Sequence, residues 1–204
     1  MEINYKKHWN NLYNSKKIEE VSWYQKVPQS SLDLIISSKL KKDDPIIDIG
    51  GGDSFLVDFL LENSFTNITV LDISNNAIER AKLRLGNQAN DVKWIISDIK
   101  EFIPKEKYAL WHDRAVFHFM SAKEVDFYYS NLLAGLKENA KLVLATFSEN
   151  GPERCCGLNV SKYSIQQLVD VFAKDFIEEK SENTIHKTPS GNKQAFSFIK
   201  FIKK

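Results

Sequence analysis

The sequence predicts a doubly wound α/β fold, a mostly parallel sheet that ends in an antiparallel hairpin. Three observations predict it. The stretch Pro45 to Leu56, PIIDIGGGDSFL, reads as strand, tight glycine turn and helix. Short β-branched strands then recur, each followed by helical periodicity, and the first three end in the acids Asp48, Asp72 and Asp98, about 25 residues apart, as βαβ units space them. Last, Phe176 to Lys204 alternates as two strands around the turn residues Thr188 to Asn192, TPSGN.

Taken in order, the segment 4–27 sets Trp9 and Tyr13 at helical spacing, as in an amphipathic helix packed on the body, and Trp23 and Tyr24 beyond it as a lid over a ligand. Ser30 to Leu40 places Leu32, Ile35, Ile36 and Leu40 on one helical face, ended by Asp43, Asp44 and Pro45. Ile46, Ile47 and Ile49 form the first strand. Phe55, Leu56, Phe59 and Leu60 form the apolar face of the helix after the turn. Asn67 to Ile73 is the second strand, and Ser74 caps a helix with Ile78, Ala81 and Leu85 on one side, closed by Gly86. Val92 to Ser97 is the third strand and Tyr108 begins the fourth. A capping box, Ser121 with Glu124, opens a helix that buries Val125, Tyr128, Leu132, Leu133 and Leu136. Ala140 to Phe147 is the fifth strand, and Ser164 with Gln167 repeats the capping box ahead of Ile165, Leu168, Val169 and Phe172.

The glycine turn is a ligand cradle. Gly50, Gly51 and Gly52 let backbone amides approach a ligand, and the following helix start offers unpaired N–H groups. A dinucleotide fingerprint, G-x-G-x-x-G, fails at Phe55, and the acid precedes the glycines rather than following them. An acid on the strand before the turn suits a ligand with a cationic amine better than a pyrophosphate. Asp48-Ile49-Gly50-Gly51-Gly52 resembles the first motif of the class I S-adenosylmethionine-dependent methyltransferases, an acid, one residue, then G-x-G, with Ser54 where a further glycine often stands. The resemblance implies a Rossmann-like sheet of seven strands and S-adenosylmethionine as cofactor. It also implies that Asp72 takes the two ribose hydroxyls with Ile73 beside it, and that Asp98 accepts from the adenine amino group while Ile99 packs on the ring. Against a sulfonium, the ring faces of Trp23 and Tyr24 would act by cation–π attraction.

The fourth strand, in YALWHDRAVFHFM, ends in His112, Asp113 and Arg114, where cofactor and acceptor should meet. His112 is expected at the methionine moiety of the cofactor, and His112, Asp113 and Arg114 at the incoming nucleophile. His118 reads as a core histidine. The loop 148–163 is too long for a connector and leaves the ligand face of the sheet, so it is expected to contact the acceptor, through Arg154 and Tyr163. Cys155 and Cys156 without a nearby histidine make a poor zinc set and read as small packing residues, so no metal is expected. WHDRAVFHF, ATF and GPERC-x-GL are also similar to a group of small bacterial methyltransferases, and VSWYQ more loosely to eukaryotic methyltransferase-like lysine methyltransferases.

The 204 residues, 43% hydrophobic, suffice for one domain: a lid or cap over 1–44, a cofactor core over 45–147, the acceptor loop, then a helix and closing hairpin over 164–204. With 28 basic and 27 acidic residues the chain has no field to recruit nucleic acid or an anionic membrane. No apolar stretch reaches the ~18 residues of a membrane span, and the start has no apolar leader, so a cytoplasmic protein is expected. The expected function is methyl transfer to a small-molecule acceptor, with a protein lysine as the alternative acceptor and a non-catalytic cofactor sensor as the alternative of another class. Oligomeric state is left open.

Overall fold

A computed structural model describes residues 3–204. In chain order it contains α1 (Tyr5–Ser15), α2 (Gln29–Ile36), β1 (Ile46–Ile49), α3 (Leu56–Glu62), β2 (Ile68–Asp72), α4 (Asn75–Leu85), β3 (Val92–Ile96), β4 (Tyr108–Arg114), α5 (Ala122–Gly135), β5 (Leu136–Phe147), the small hairpin β6 (Arg154–Cys155) and β7 (Leu158–Asn159), α6 (Ile165–Phe172), β8 (Phe176–Lys187) and β9 (Lys193–Lys203). Seven strands form one sheet in the order β3-β2-β1-β4-β5-β9-β8. Strands β1 to β5 pair in parallel, and β9 runs antiparallel to both β5 and β8. The order reverses direction at β1, so the crevice beyond β1 and β4 is where this topology opens for a ligand.

Alternation along the strands builds two cores. Ile46, Ile68, Val70 and Leu110 point to one face with α2, α3 and α4, whereas Ile47, Ile49, Leu71 and Trp111 point to the other with α5 and α6. Strand β1 is buried at every position, as expected of a central parallel strand. The α4 cap is as predicted: Ser74 Oγ accepts from Ala77 N at 3.3 Å, and Gly86 ends the helix at φ +58. Both capping boxes form. The hairpin turn closes by a Thr188 N–H to Asn192 carbonyl bond of 2.8 Å, with Gly191 at φ +86.

Two boundaries differ. Helix α2 stops at Ile36 because Lys39 turns into the left-handed region, φ +54, so Leu40 packs from a loop. Leu136 begins β5 instead of ending α5: the strand reaches back across a turn at Asn139, φ +58, and slips register against β4 between Tyr108 and Leu110. Among the described residues no helix is long and apolar enough to cross a membrane.

Candidate active site

The turn after β1 is shaped by what it lacks. Gly50 sits at φ +66 with a Cβ position 2.1 Å from Val116 Cγ2. At Gly51 a Cβ would lie 2.5 Å from Asp48 Oδ2, and at Gly52, φ +48, 2.8 Å from the Tyr13 hydroxyl and 2.9 Å from Asp72 Oδ2. Two of the three positions need the left-handed backbone and all three need the missing methyl group. Gly50 N–H and Gly51 N–H both donate to the Leu71 carbonyl, at 2.7 and 3.3 Å, which holds the turn against the end of β2.

A single cavity runs along the carboxyl ends of the strands, from Asp98 and Ile99 past Asp72, Ile73, Gly50 and Gly51 to His112 and Arg114. Asp72 is 5% exposed and its Oδ1 accepts from Ser74 N at 2.7 Å. Burial is the largest influence on its carboxyl and raises its pKa to about 7, against the Ser74 N–H and with the neighbouring Asp53 and Asp48. Asp98 accepts from Lys100 N at 2.9 Å. His112 bridges two elements: Nδ1–H donates to Asp48 Oδ1 at 2.7 Å, and Nε2 is hydrogen-bonded with the Ser31 hydroxyl of α2 at 2.9 Å. Replacing Ser31 with alanine should therefore leave Nε2 unpartnered and cost about 1 to 3 kcal/mol of stability, read by chemical denaturation.

The N-terminal helix forms the roof. Trp9, Tyr13, Trp23 and Tyr24 all line the cavity. Trp9 meets Trp23 edge to face at 5.9 Å and Phe119 at 5.5 Å. The roof is tied to α4: Ser74 Oγ donates to Asn10 Oδ1 at 2.7 Å, and Arg80 Nη1 donates to the Tyr13 and Lys16 carbonyls at 2.9 and 3.0 Å. Arg80 also pairs with buried Asp53 at 3.0 Å, while Arg84 donates to the Asp53 and Ser54 carbonyls at 2.7 and 2.8 Å.

Of the residues singled out in the sequence, Asp48, Gly50, Gly51, Asp72, Ile73, Asp98, Ile99, His112, Arg114, Trp23 and Tyr24 share this cavity. Gly52 stands just behind it, between Tyr13 and Asp72. Three are placed elsewhere. Asp113 is fully buried on the opposite face of β4. Its Oδ1 accepts from Val116 N and Phe117 N at 2.9 and 3.2 Å, and its Oδ2 accepts from the Tyr128 hydroxyl at 2.7 Å. Adjacent strand residues face opposite ways, so His112 and Asp113 cannot both reach the crevice, and the expectation that Asp113 meets the nucleophile is corrected. Arg154 is exposed and donates to the Gly157 carbonyl at 2.7 Å. Tyr163 packs on Phe117 at 5.4 Å in the second core. The loop reaches the cavity through Cys155 instead, whose Sγ lies 3.8 Å from that of Cys156. His118 is buried, with Nδ1 accepting from Phe147 N at 3.3 Å, and burial together with Arg114 lowers its pKa to about 3. Ser31, Asn10, Asp53, Arg80 and Arg84 were not foreseen. The adjacency of Asp53 to three glycines was the one available signal.

Fold and site together resemble those of the class I S-adenosylmethionine-dependent methyltransferases, which share the seven-stranded sheet and closing hairpin. Residues 47–142, which hold the glycine cradle, match the family described as a methyltransferase domain. Malonyl-[acyl-carrier protein] O-methyltransferase 2 of Ilyobacter polytropus is 31% identical over 107 residues, 52% of this chain and 40% of that protein. The corresponding enzyme of Anoxybacillus flavithermus is 30% identical over 51% of this chain and 39% of its own length. The matched region thus spans less than half of these curated relatives. A solved S-adenosylmethionine-dependent methyltransferase from Anabaena variabilis superposes with a TM-score of 0.76 at 18% identity, covering 100% of this chain and 96% of that one. The N-methyltransferase NodS from Bradyrhizobium japonicum, solved with S-adenosylhomocysteine, superposes at 0.67 with 16% identity, covering 86% and 84%.

The residues present fit the cofactor of this class. At Gly51 and Gly52 the backbone packs directly against Asp48 and Asp72, where a Cβ would clash, and an acid stands at or just past the end of each of β1, β2 and β3 along one cavity. Asp72 would take the ribose, Asp98 the adenine edge and Asp48 with the glycine amides the methionine end.

Proposed function

We propose that this chain transfers the sulfonium methyl group of S-adenosylmethionine to a small-molecule nucleophile by in-line displacement, acting as one unit in the cytoplasm. The observation that carries this reading is the continuity of the cavity from Asp98 to Arg114 under an aromatic roof, which supports a compact acceptor enclosed with the cofactor. The sulfonium leaves as a neutral thioether, so the protein's task is to align nucleophile, methyl carbon and sulfur and to exclude water. Alignment of this kind is worth roughly 7 to 11 kcal/mol in favourable cases. The aromatic faces of Trp9, Trp23 and Tyr24 suit a cationic sulfonium. The named relatives are O-methyltransferases, which favours an oxygen acceptor.

A protein lysine is the second reading, favoured by the adjacent Trp23 and Tyr24 at the roof. It needs an acid beside the amine, and Asp113, the residue first suited to that, lies outside the cavity. Calorimetric titration with S-adenosylmethionine and S-adenosylhomocysteine, followed by radiolabelled methyl donor in fractionated lysate, separates the readings. Micromolar binding with label in the small-molecule fraction is expected. Label on protein would establish the lysine reading, binding without transfer a sensor, and absence of binding would remove the methyltransferase reading altogether.

A further inference from the structure

Arg114 ends β4 at the acceptor side of the cavity, and the backbone turns away immediately after it through Ala115 at φ +72. Its guanidinium lies 4.8 Å from the Phe196 ring centroid, and Nη1 donates to the Trp23 carbonyl at 3.4 Å. Nε and Nη2 are shielded from solvent and have no hydrogen-bond partner among the described residues. No carboxylate pairs with Arg114 there, whereas Arg80 and Arg84 each have one. Burial lowers the Arg114 pKa to about 10, against Cys155 and Asp48, so the group stays cationic at neutral pH. A desolvated cation with two unused donors is costly unless an anion completes it.

The two unused nitrogens are those of one edge of the guanidinium. Nε–H and Nη2–H run parallel and match the two oxygens of a planar carboxylate. Among the described residues the histidine of the cavity is already committed. His112, the histidine that lines it among the described residues, already holds Asp48 and Ser31 with its two nitrogens. A carboxylate acceptor has no proton to lose and so makes no demand on those nitrogens. The cavity that Arg114 lines also has apolar walls, among them Trp9, Trp23, Phe119 and Met120.

We propose that the methyl acceptor is a carboxylic acid with an apolar or aromatic body, held by its carboxylate on the Nε–Nη2 edge of Arg114 and converted there to its methyl ester. The inference rests on the methyltransferase reading above. One carboxylate oxygen forms the new O–CH3 bond, the S–CH3 bond breaks, and its electron pair neutralises the sulfonium. No proton moves, and the products are the ester and S-adenosylhomocysteine. Trp23, whose carbonyl takes the third nitrogen, lies on a non-helical stretch.

The test uses the protein saturated with S-adenosylhomocysteine, titrated calorimetrically with 3-phenylpropanoate, octanoate and the corresponding amides and primary amines. Either carboxylate is expected to bind at least about tenfold more tightly than its amide or amine, and Arg114→Gln to lose that preference while keeping S-adenosylhomocysteine affinity within about threefold. Arg114→Lys, which keeps the charge and loses the fork, should retain an intermediate preference. With labelled methyl donor, the product should release its label as volatile methanol on alkaline treatment, as an ester does. Equal binding of acid and amide, an undiminished preference in Arg114→Gln, or alkali-stable product would each overturn the proposal. Loss of S-adenosylhomocysteine binding by the unaltered protein would overturn the methyltransferase reading instead.

Discussion

Asp72→Ala is expected to lower the affinity for S-adenosylmethionine and S-adenosylhomocysteine by at least about a hundredfold. A carboxylate that takes two ribose hydroxyls makes two charge-assisted hydrogen bonds, each worth about 1.5 to 3 kcal/mol, and two of them account for that factor or more. The affinity should also depend on pH, because burial raises this carboxyl to about 7 and the ribose prefers the ionised form. Binding is therefore expected to strengthen as pH rises through about 7 and to level off above it. Stability of the free protein runs the other way. A folded-state pKa above the usual 3.8 means that the folded protein holds a proton the unfolded chain has released, so the Asp72 contribution to stability falls as pH rises from about 4 to about 7. Calorimetry between pH 5.5 and 8.5 on the natural protein and on Asp72→Asn checks both directions. A pH-independent affinity lost equally at every pH would show that Asp72 acts only by shaping the cavity.

The cofactor half of this site was legible in the sequence because its signals are local. Asp48, Asp72 and Asp98 each stand at or just past the end of a strand, parallel strands present their ends to one crevice, and Gly50 and Gly52 after the first demand backbone that other residues resist. The acceptor half was less legible because it depends on which way a side chain leaves a strand whose two faces are both buried. Strand β4 is apolar on either side, so nothing in YALWHDR marks the phase of alternation, and His112 and Asp113 looked equivalent. The ties of α1 to α4 through Asn10, Arg80 and Ser74 join residues more than sixty positions apart, and no periodicity within either helix announces them. The early start of β5 at Leu136 is a similar case. The apolar phase of α5 continues into it, and the turn at Asn139 is set by the sheet rather than by helix chemistry.

That placement of Asp113 changes what its replacement should do. Asp113→Ala removes the acceptor of three hydrogen bonds in the core and strands the Val116 and Phe117 N–H groups and the Tyr128 hydroxyl, which itself accepts from Trp111 Nε1 at 3.1 Å. Buried donors left unpaired cost about 1 to 3 kcal/mol each, so the variant should lose about 3 kcal/mol or more, a large fraction of the stability of a domain this size. Asp113→Asn keeps the shape and one acceptor oxygen for the two amides, so it should lose less. The loss would pass to the site indirectly, because the two amides fix the turn through Val116, whose methyl group packs where a Gly50 Cβ would otherwise lie. Urea unfolding should show the reduced stability, while S-adenosylhomocysteine affinity, measured at a temperature where the variant remains folded, should stay within about threefold of the natural value. Unchanged stability with methyl transfer abolished would return Asp113 to the chemistry. Lost stability with transfer proportional to the folded fraction would make it the support that aims β4, with His112 and Arg114, at the cavity.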